Sequence, residues 1–382
     1  MPTVAAIIRA LDARYDPAWA ESWDAVGLVC GEPAAEVRKV WFAIDPVEAV
    51  ANEAIAAGAQ LLVTHHPLFL GGTTSVAATA PKGRLVHNLI SHGVALFVAH
   101  TNADRANPGV SDALAAAVGL HDLRPLDAMP GEPQDKVVVF VPRDDADRMV
   151  AALAAAGAGR IGDYERCAFL TDGTGTFLPG ESSSPTIGQP GRVEQVAETR
   201  VEMVAPRRCR AAVVAAVRAV HPYEEPAYDV YPVAVPSADR GLGRVGELAE
   251  PTTFAAFTEA VARALPTAAW GIRAAGDPGR PVRTVAVCGG SGGEYAAAAA
   301  RADADAYVTA DLKHHSTSEA AADLGIGLID AGHWSTEQPW LAPAAELLTS
   351  DLRAAGTTVE TMVSRLVTDP WNLRAGGSQG QP

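Results

Sequence analysis

Short unbroken apolar runs recur through the first part of the chain, at Val40–Ile44, Leu61–Thr64 and Val94–Ala99. Runs of this length, without polar interruptions, fit strands buried on both faces, as in a parallel sheet. Between them lie segments with helical spacing, over about residues 47–57 and 82–92, which end at Gly58 and Gly93. A glycine just past the last apolar position is a helix stop. Helices are also expected over 3–14 and near 109–118, with Ser22–Leu28 left irregular. Helices alternating with short apolar strands indicate βαβ units.

The pattern changes after a stretch rich in Pro, Asp and Gly at 121–135, which reads as a boundary. A strand over Lys136–Val141 is followed by a helix capped at Asp144 or Asp145 and running to Ala156. Short strands are expected around Cys167–Leu170 and Gly175–Leu178, then a Ser/Pro/Gly loop at Gly180–Gly191. An alternating segment at Glu198–Val204, a helix over 207–220 and a strand at Tyr228–Val233 complete two β-α-β halves. This predicts a ferredoxin-like α+β domain inserted into the first one. At Gly241–Gly246 the chain is expected to turn back. A helix over 253–265 leads into renewed βα alternation: Thr284–Cys288, a helix near 293–301, Ala306–Thr309, a helix near 316–323, Ile326–Ile329, and a last helix from about 336. The expected partition is a core in two halves, 1–130 and 241–370, an inserted domain at 135–240, and a disordered tail at 371–382.

Composition narrows the picture. With 382 residues, 48% of them hydrophobic, a sizeable core in two or three domains is expected. No apolar run approaches a membrane span, and the N-terminus lacks the pattern of a signal peptide. Cys30, Cys167, Cys209 and Cys288 are scattered with no C-x-x-C pair, which fits a reducing cytoplasm. A formal net charge of −15 argues against a nucleic-acid footprint.

The polar residues that stand out lie at strand ends: Asp45, His65, His66, His100, Asp104, Asp311, Asp330 and His333. Four parallel strands would place them on one lip of a sheet, where ligands bind in open α/β folds. Adjacent residues of a strand point in different directions, so His65 and His66 can serve two neighbouring ions. Ser335 and Gln338 match a capping box, which predicts Ser335 as N-cap, His333 in the loop before it and Glu337 in the first turn. Imidazoles with carboxylates suit zinc, iron, manganese, cobalt or nickel. Their number exceeds one tetrahedral site, and two ions sharing a bridging carboxylate account for it better. Other readings stay open at single positions. Asp45 fits a turn or helix cap, and His314-His315 a solvated helix start. Gly289–Gly293 is either a phosphate cradle at a helix N-terminus or a tight βα turn. No cysteine sits beside a base and no G-x-S-x-G elbow is present, so an ion-activated water is the expected nucleophile.

Several motifs, in order along nearly the whole chain, resemble the NIF3-like family, also called GTP cyclohydrolase 1 type 2 homologues. They are Ser22–Leu28, Thr64–Leu68, His100–Asp104, Val308–His315 and Asp330–Glu337, with Tyr164–Phe169 and His221–Asp229 in the inserted part. Ala310 departs from the glycine usual in the family before the aspartate Asp311. The resemblance implies a NIF3-like core with a PII- or CutA-like insert and a dinuclear metal centre. Its ligands would be His65, His66, Asp104, His333 and Glu337, with Glu337 bridging and zinc the foremost ion. His100 would be a further ligand or a group supporting one, and His100 or His315 would shuttle protons. The resemblance also implies a toroidal homohexamer and a nucleotide or other small-molecule substrate. The implied reaction is hydrolytic opening of the guanine ring of GTP. A metal-dependent phosphoester hydrolase and a non-enzymatic metal-binding regulatory scaffold are the alternatives.

Overall fold

The structure, a computed structural model, describes residues 1–266 and 269–375. The chain divides into two compact units, Met1–Met129 with Asp239–Pro382, and Pro130–Ala238.

In chain order the first unit opens with α1 (Val4–Arg14), β1 (Gly27–Cys30), β2 (Lys39–Ala43), α2 (Glu48–Ala56), β3 (Leu61–Thr64), α3 (Pro81–Ser91), β4 (Ala95–Val98), α4 (Thr101–Arg105), α5 (Val110–Ala117) and β5 (Leu120–Ala128). The second unit holds β6 (Gln134–Pro142), α6 (Ala146–Ala155), β7 (Phe169–Phe177), β8 (Glu194–Pro206), α7 (Arg210–Val220) and β9 (Tyr228–Val233). The first unit resumes with β10 (Gly241–Thr253), α8 (Phe254–Ala264), β11 (Arg273–Ala275), β12 (Pro281–Val287), α9 (Ala296–Arg301), β13 (Ala306–Thr309) and α10 (His314–Asp323). It ends with β14 (Gly327–Asp330), α11 (His333–Glu337), α12 (Leu341–Ala354) and β15 (Glu360–Val363).

The strand-end residues do not share one sheet. The first unit contains two, in the orders β1-β4-β3-β2-β15 and β11-β14-β13-β12-β10-β5. In the first, β15, β2, β3 and β4 run parallel, and in the second β12, β13 and β14 do. The buried strands follow the period of two that a pleated sheet imposes. Val40, Phe42, Leu61 and Val63 pack with α1 and α12, through Ile7, Leu11, Leu348 and Leu352. Trp41, Ala43 and Leu62 pack with α2 and α3, through Val50, Ala54, Leu85 and Leu89. In the second sheet Val285, Val308 and Ile329 meet Phe254, Phe257 and Val261 of α8, and Tyr307 and Leu328 lie in the cluster around α9. α5 joins the two cores, contributing Val110 to one and Leu114 to the other.

Two proline- and glycine-rich stretches hold strands, and the division between the units, at Met129/Pro130, falls within 121–135. Residues 121–128 belong to β5, an edge strand of the second sheet, and edge strands are where a sheet tolerates a proline such as Pro125. Gly241–Gly246 lies inside β10. A Cβ at Gly241 would come within 2.1 Å of the Asp127 carbonyl oxygen, so this glycine serves close pairing with β5. The two short strands expected around Cys167–Leu170 and Gly175–Leu178 are one continuous strand, β7, which takes in Phe169–Leu170 and Gly175–Phe177. Of the expected tail 371–382, residues 376–382 lie outside the described residues, and Trp371 stacks on Trp270 with ring centroids 6.1 Å apart.

The second unit is a four-stranded antiparallel sheet in the order β7-β8-β6-β9. Its β-α-β-β-α-β succession is that of the ferredoxin-like motif. Val213 and Val217 of α7 and Met149 and Leu153 of α6 close its core over Val137, Val139, Val201 and Met203.

Arg244 fastens α5 to β10. It is 1% exposed; its Nε and Nη2 donate to Asp112 at 2.8 and 2.7 Å, and Nη1 donates to the carbonyls of Gly241 and Gly243 at 2.8 and 2.7 Å. Arg244→Leu leaves Asp112 without its cation and is expected to destabilise the protein by about 3–5 kcal/mol. Denaturant unfolding checks this; a loss under about 1 kcal/mol, the size of a surface pair, would show the pair to be dispensable.

No helix among the described residues is long and apolar enough to cross a membrane. All four cysteines are free thiols, and Cys288 is buried.

Candidate metal centre

The side chains that approach one another come from both sheets. Alternation along β3 explains how two adjacent histidines reach different surroundings. His65 continues the face of Leu61 and Val63; it is fully buried, with its ring 5.4 Å from that of Trp340. His66 continues the opposite face and is only partly buried. His100 follows β4, and Asp104 lies one turn on, in α4.

From the second sheet come His333 and Glu337, the first and last residues of α11. This helix begins three residues earlier than a cap at Ser335 requires. Gly332 is the N-cap, with φ +85°, a conformation glycine adopts without penalty. The Ser335 hydroxyl is buried with no hydrogen-bond partner, so the expected capping box does not form. Starting at His333 puts that residue and Glu337 one turn apart on the same face.

Glu337 is the centre of the cluster and is 3% exposed. Its Oε1 lies 3.5 Å from His65 Nε2 and 3.1 Å from His333 Nε2, and its Oε2 lies 3.0 Å from His66 Nε2. Asp104 Oδ1 lies 3.7 Å from His65 Nε2. The ligand atoms of His65, His66 and His100 fall within 4.8 Å of one another, and so do those of His66, His333 and Glu337. His66 belongs to both groups.

Every imidazole is held from behind through Nδ1. His65 Nδ1 meets the Ala99 carbonyl at 2.9 Å, an acceptor only, so this nitrogen carries the proton. His66 Nδ1 meets Asp45 at 2.7 Å, His100 Nδ1 meets Asp24 at 2.9 Å, and His333 Nδ1 meets Asp311 at 2.7 Å. In the neutral ring each Nε2 is then a lone pair aimed at the cluster, the tautomer that a metal ligand needs. His66 Nε2 and His333 Nε2 stand 3.2 Å apart. Two lone pairs cannot bond each other, so a proton or a metal cation must lie between or beside them. His65 Nε2 and Glu337 Oε2 are buried without hydrogen-bond partners. Four imidazole nitrogens and two carboxylates suit borderline divalent cations, and the residues fit a metal ion.

Without an ion, protons take the cation's place. The Glu337 carboxylate raises the His333 imidazole to about 11 against the opposing effect of burial, with help from Asp311. Burial works against charge on His66, but Glu337 and Asp45 outweigh it and raise the ring to about 10. His65 is shifted upward in the same way, with burial opposed by Glu337 and Asp104. Burial alone would raise Glu337, yet His333, His66 and His65 together pull it far below the usual carboxylate range.

The other sequence candidates have different roles. Asp45 and Asp311 act as Nδ1 acceptors, and the Thr368 hydroxyl donates to the second oxygen of Asp45. Asp311 has φ +55°, a left-handed conformation that aspartate tolerates better than most residues. Asp330 is not in the cluster; Arg273 Nη2 donates to it at 2.5 Å and the Leu312 N–H at 3.2 Å. Gly289–Gly293 forms a turn in which the N–H groups of Gly289, Gly290 and Gly292 have acceptors within the protein, Gly289 donating to Ser111 Oγ at 3.4 Å. Gly290 donates to Thr336 Oγ1 and Gly292 to Thr309 Oγ1, both at 3.0 Å. A Cβ on Gly290 would come within 2.4 Å of Glu337 Oε1, so the glycine makes room for that carboxylate. His315 is exposed on α10 with its ring against that of His314, and no hydrogen bond or ion pair ties it to the cluster among the described residues. Sequence reasoning assigned no role to Asp24, which accepts from Thr101 N–H and hydroxyl at 3.0 and 2.5 Å as well as from His100. Its only signal was its place beside Trp23, whose ring stands 6.0 Å from that of His100.

Imidazoles and carboxylates gathered at strand ends define an α/β protein with a site able to take a metal ion. The profile described as Duf34/NIF3 (NGG1p interacting factor 3) matches residues 2–370, and the chain belongs to that family. The protein named GTP cyclohydrolase 1 type 2 homolog of Mycobacterium tuberculosis is 50% identical over 371 residues, 97% of each chain. The Bacillus subtilis protein of the same name is 37% identical over 367 residues, 96% of this chain and 97% of its own. Among solved structures, a Bacillus cereus protein related to NIF3 is 37% identical with a TM-score of 0.74, covering 97% of this chain and 98% of its own. A Staphylococcus aureus protein, 28% identical, reaches a TM-score of 0.83 over the same shares.

Proposed function

We propose that the cluster is a dinuclear centre held by His65, His66, Asp104, His333 and Glu337, and that the protein is a metal-dependent hydrolase. The observation that carries this reading is the pair of opposed Nε2 atoms of His66 and His333, 3.2 Å apart across the buried Glu337 carboxylate. Two overlapping ligand groups meeting at His66 support two ions over one, with the two Glu337 oxygens turned toward different imidazoles. The imidazole-rich donor set favours zinc, with iron, manganese, cobalt and nickel as compatible ions. When bound, such ions supply Lewis-acid charge and make water acidic enough to attack near neutral pH.

The chain's own residues do the rest. Asp45, Asp311, Asp24 and the Ala99 carbonyl fix the four imidazoles in one tautomer, so no reorganisation is needed when the site is used. The Trp340 ring keeps water from the back of His65. His100 presents an Nε2 beside His65 and His66 and is the group placed to move a proton. The name shared by the relatives directs the reading to a guanine nucleotide, hydrolysed at C8 of the ring. The scattered free thiols fit a cytoplasmic setting, and self-association as a toroidal homohexamer is part of the same reading.

Protein stripped of metal and reloaded with zinc, manganese or iron is expected to convert GTP to the ring-opened product, measured by chromatography. Turnover confined to a panel of phosphoesters would make it a phosphoester hydrolase instead. No turnover with any ion would remove the hydrolase reading and leave a metal-binding scaffold. Sedimentation giving any mass other than six chains would overturn the hexamer.

A further inference from the structure

The second unit carries a half-open cavity of about 560 Å³, lined entirely by its own residues. This is the size of a pocket for a small organic molecule. Phe140, Phe177 and Tyr223 supply aromatic walls, and Pro179, Pro185 and Ile187 lie across from the sheet. The Phe177 and Tyr223 rings are tilted, with centroids 6.0 Å apart, and the far side of Tyr223 rests on His221 at 5.0 Å.

The charges of this lining do not balance. Four carboxylates, of Asp172, Glu198, Glu224 and Glu225, face one guanidinium, that of Arg200. Arg200 is committed elsewhere: its Nε lies 2.7 Å from Glu202, and it stands over the Phe140 ring at 5.7 Å. Asp172 is neutralised by Arg143 at 3.2 Å. Glu198 is different. It is 9% exposed, and among the described residues it makes no ion pair with Lys, Arg or His. Its one hydrogen bond is to Oε1, from the Tyr223 hydroxyl at 3.0 Å. Burial and the neighbouring Glu198 both push the Tyr223 phenol upward, so it stays a donor and brings no positive charge. The fold has left room for this carboxylate, since a Cβ on Gly175 would come within 2.0 Å of Glu198 Oε2. A buried carboxylate with one neutral donor is costly unless a cation completes it. Aromatic faces beside it favour the same partner.

We propose that this cavity binds a small organic cation, a primary ammonium carried on a flat apolar body, with the charge on Glu198 and the body against the aromatic wall of Phe177 and Tyr223. Nothing in this lining belongs to the metal cluster, and the site works without an ion. Gly173 leaves open space on β7 beside the cavity, where a Cβ would meet nothing within 4 Å.

Calorimetric titration of the full chain with three indoles of one shape tests this: tryptamine, the neutral tryptophol and the anionic indole-3-propionate. Tryptamine is expected to bind saturably, and more tightly than either analogue. Glu198→Gln, which keeps the shape and removes the charge, is expected to weaken tryptamine roughly tenfold or more, as for other charge-assisted bonds. Tyr223→Phe keeps the ring and frees Glu198 Oε1, so it should retain binding. Treatment with a chelator should leave the affinity unchanged. Equal binding of tryptophol or indole-3-propionate would overturn the proposal. So would an unchanged affinity in a folded Glu198→Gln variant, loss of binding in Tyr223→Phe, or no saturable tryptamine binding at millimolar concentration.

Discussion

Glu337→Gln is expected to lower metal-ion affinity by about 100-fold or more, beyond the 10–100-fold typical of losing a group that only orients a ligand. The substitution conserves shape, so the buried volume under α11 is preserved and the variant should fold. What it removes is the charge that faces three imidazoles at 3.5, 3.0 and 3.1 Å. No other carboxylate can replace it: Asp104 reaches only His65, at 3.7 Å, and Asp45 and Asp311 are engaged with Nδ1 atoms on the outer side of the rings. His100→Ala should cost less, because His100 belongs to one of the two ligand groups and Glu337 has an oxygen toward each side. Elemental analysis after reloading reads both effects. The expected order is two ions per chain in the wild type, fewer in His100→Ala, and fewest in Glu337→Gln. Wild-type ion content in Glu337→Gln would remove the carboxylate from the centre.

The buried strands were legible because burial on both faces writes an unbroken apolar run, and Leu61–Thr64 and Ala306–Thr309 coincide with strands of the structure. Edge strands carry no such run. β1 and β15 are only partly buried, and β11 is three residues long, so all three were invisible. β5 and β10 were obscured by Pro125 and by Gly241, Gly243 and Gly246, which edge pairing and close backbone approach tolerate. The division into two sheets was hidden for a deeper reason. Parallel pairing joins segments far apart in sequence, and nothing local in β3 or β13 says which sheet will receive it.

For the site, the residue types were readable and their arrangement was not. His65, His66, His333 and Glu337 were all recognisable as donors, and the structure brings them together. That Asp45 and Asp311 would stand behind imidazoles was not readable. An aspartate at a strand end looks the same whether it faces the cluster or the outer ring nitrogen. Asp24 is 76 residues from His100 in sequence, and only the fold makes them partners. Ser335 misled because its spacing to Gln338 satisfies a capping rule, while the positive φ of Gly332 starts the helix earlier.

Metal loading is expected to stabilise the protein progressively more as pH rises from about 6 to 9, and to release protons. In the ion-free protein the imidazoles are raised, His66 to about 10 and His333 to about 11, with His65 shifted in the same direction. A cation entering the site must displace those protons, because a ligand nitrogen needs its lone pair. If two protons leave per binding event, apparent affinity rises about 100-fold per pH unit in this range. The ion-free protein has the opposite dependence. A group raised on folding contributes stability that is complete below its unfolded value, 6.5 for histidine, and is lost as pH climbs through 10 and 11. Glu337 is depressed, so its contribution is present above its unfolded value of 4.5 and fades as pH falls toward its folded value. Alkaline conditions therefore weaken the empty cluster while they strengthen the loaded one. Melting temperatures with saturating zinc and with chelator, taken across this range, should diverge as pH increases. Calorimetry in buffers of different ionisation enthalpy should count the protons released. A melting-temperature difference that stays flat with pH, together with no proton release, would mean that the imidazoles are already neutral in the ion-free protein and that the opposed His66 and His333 nitrogens are not held together by protons.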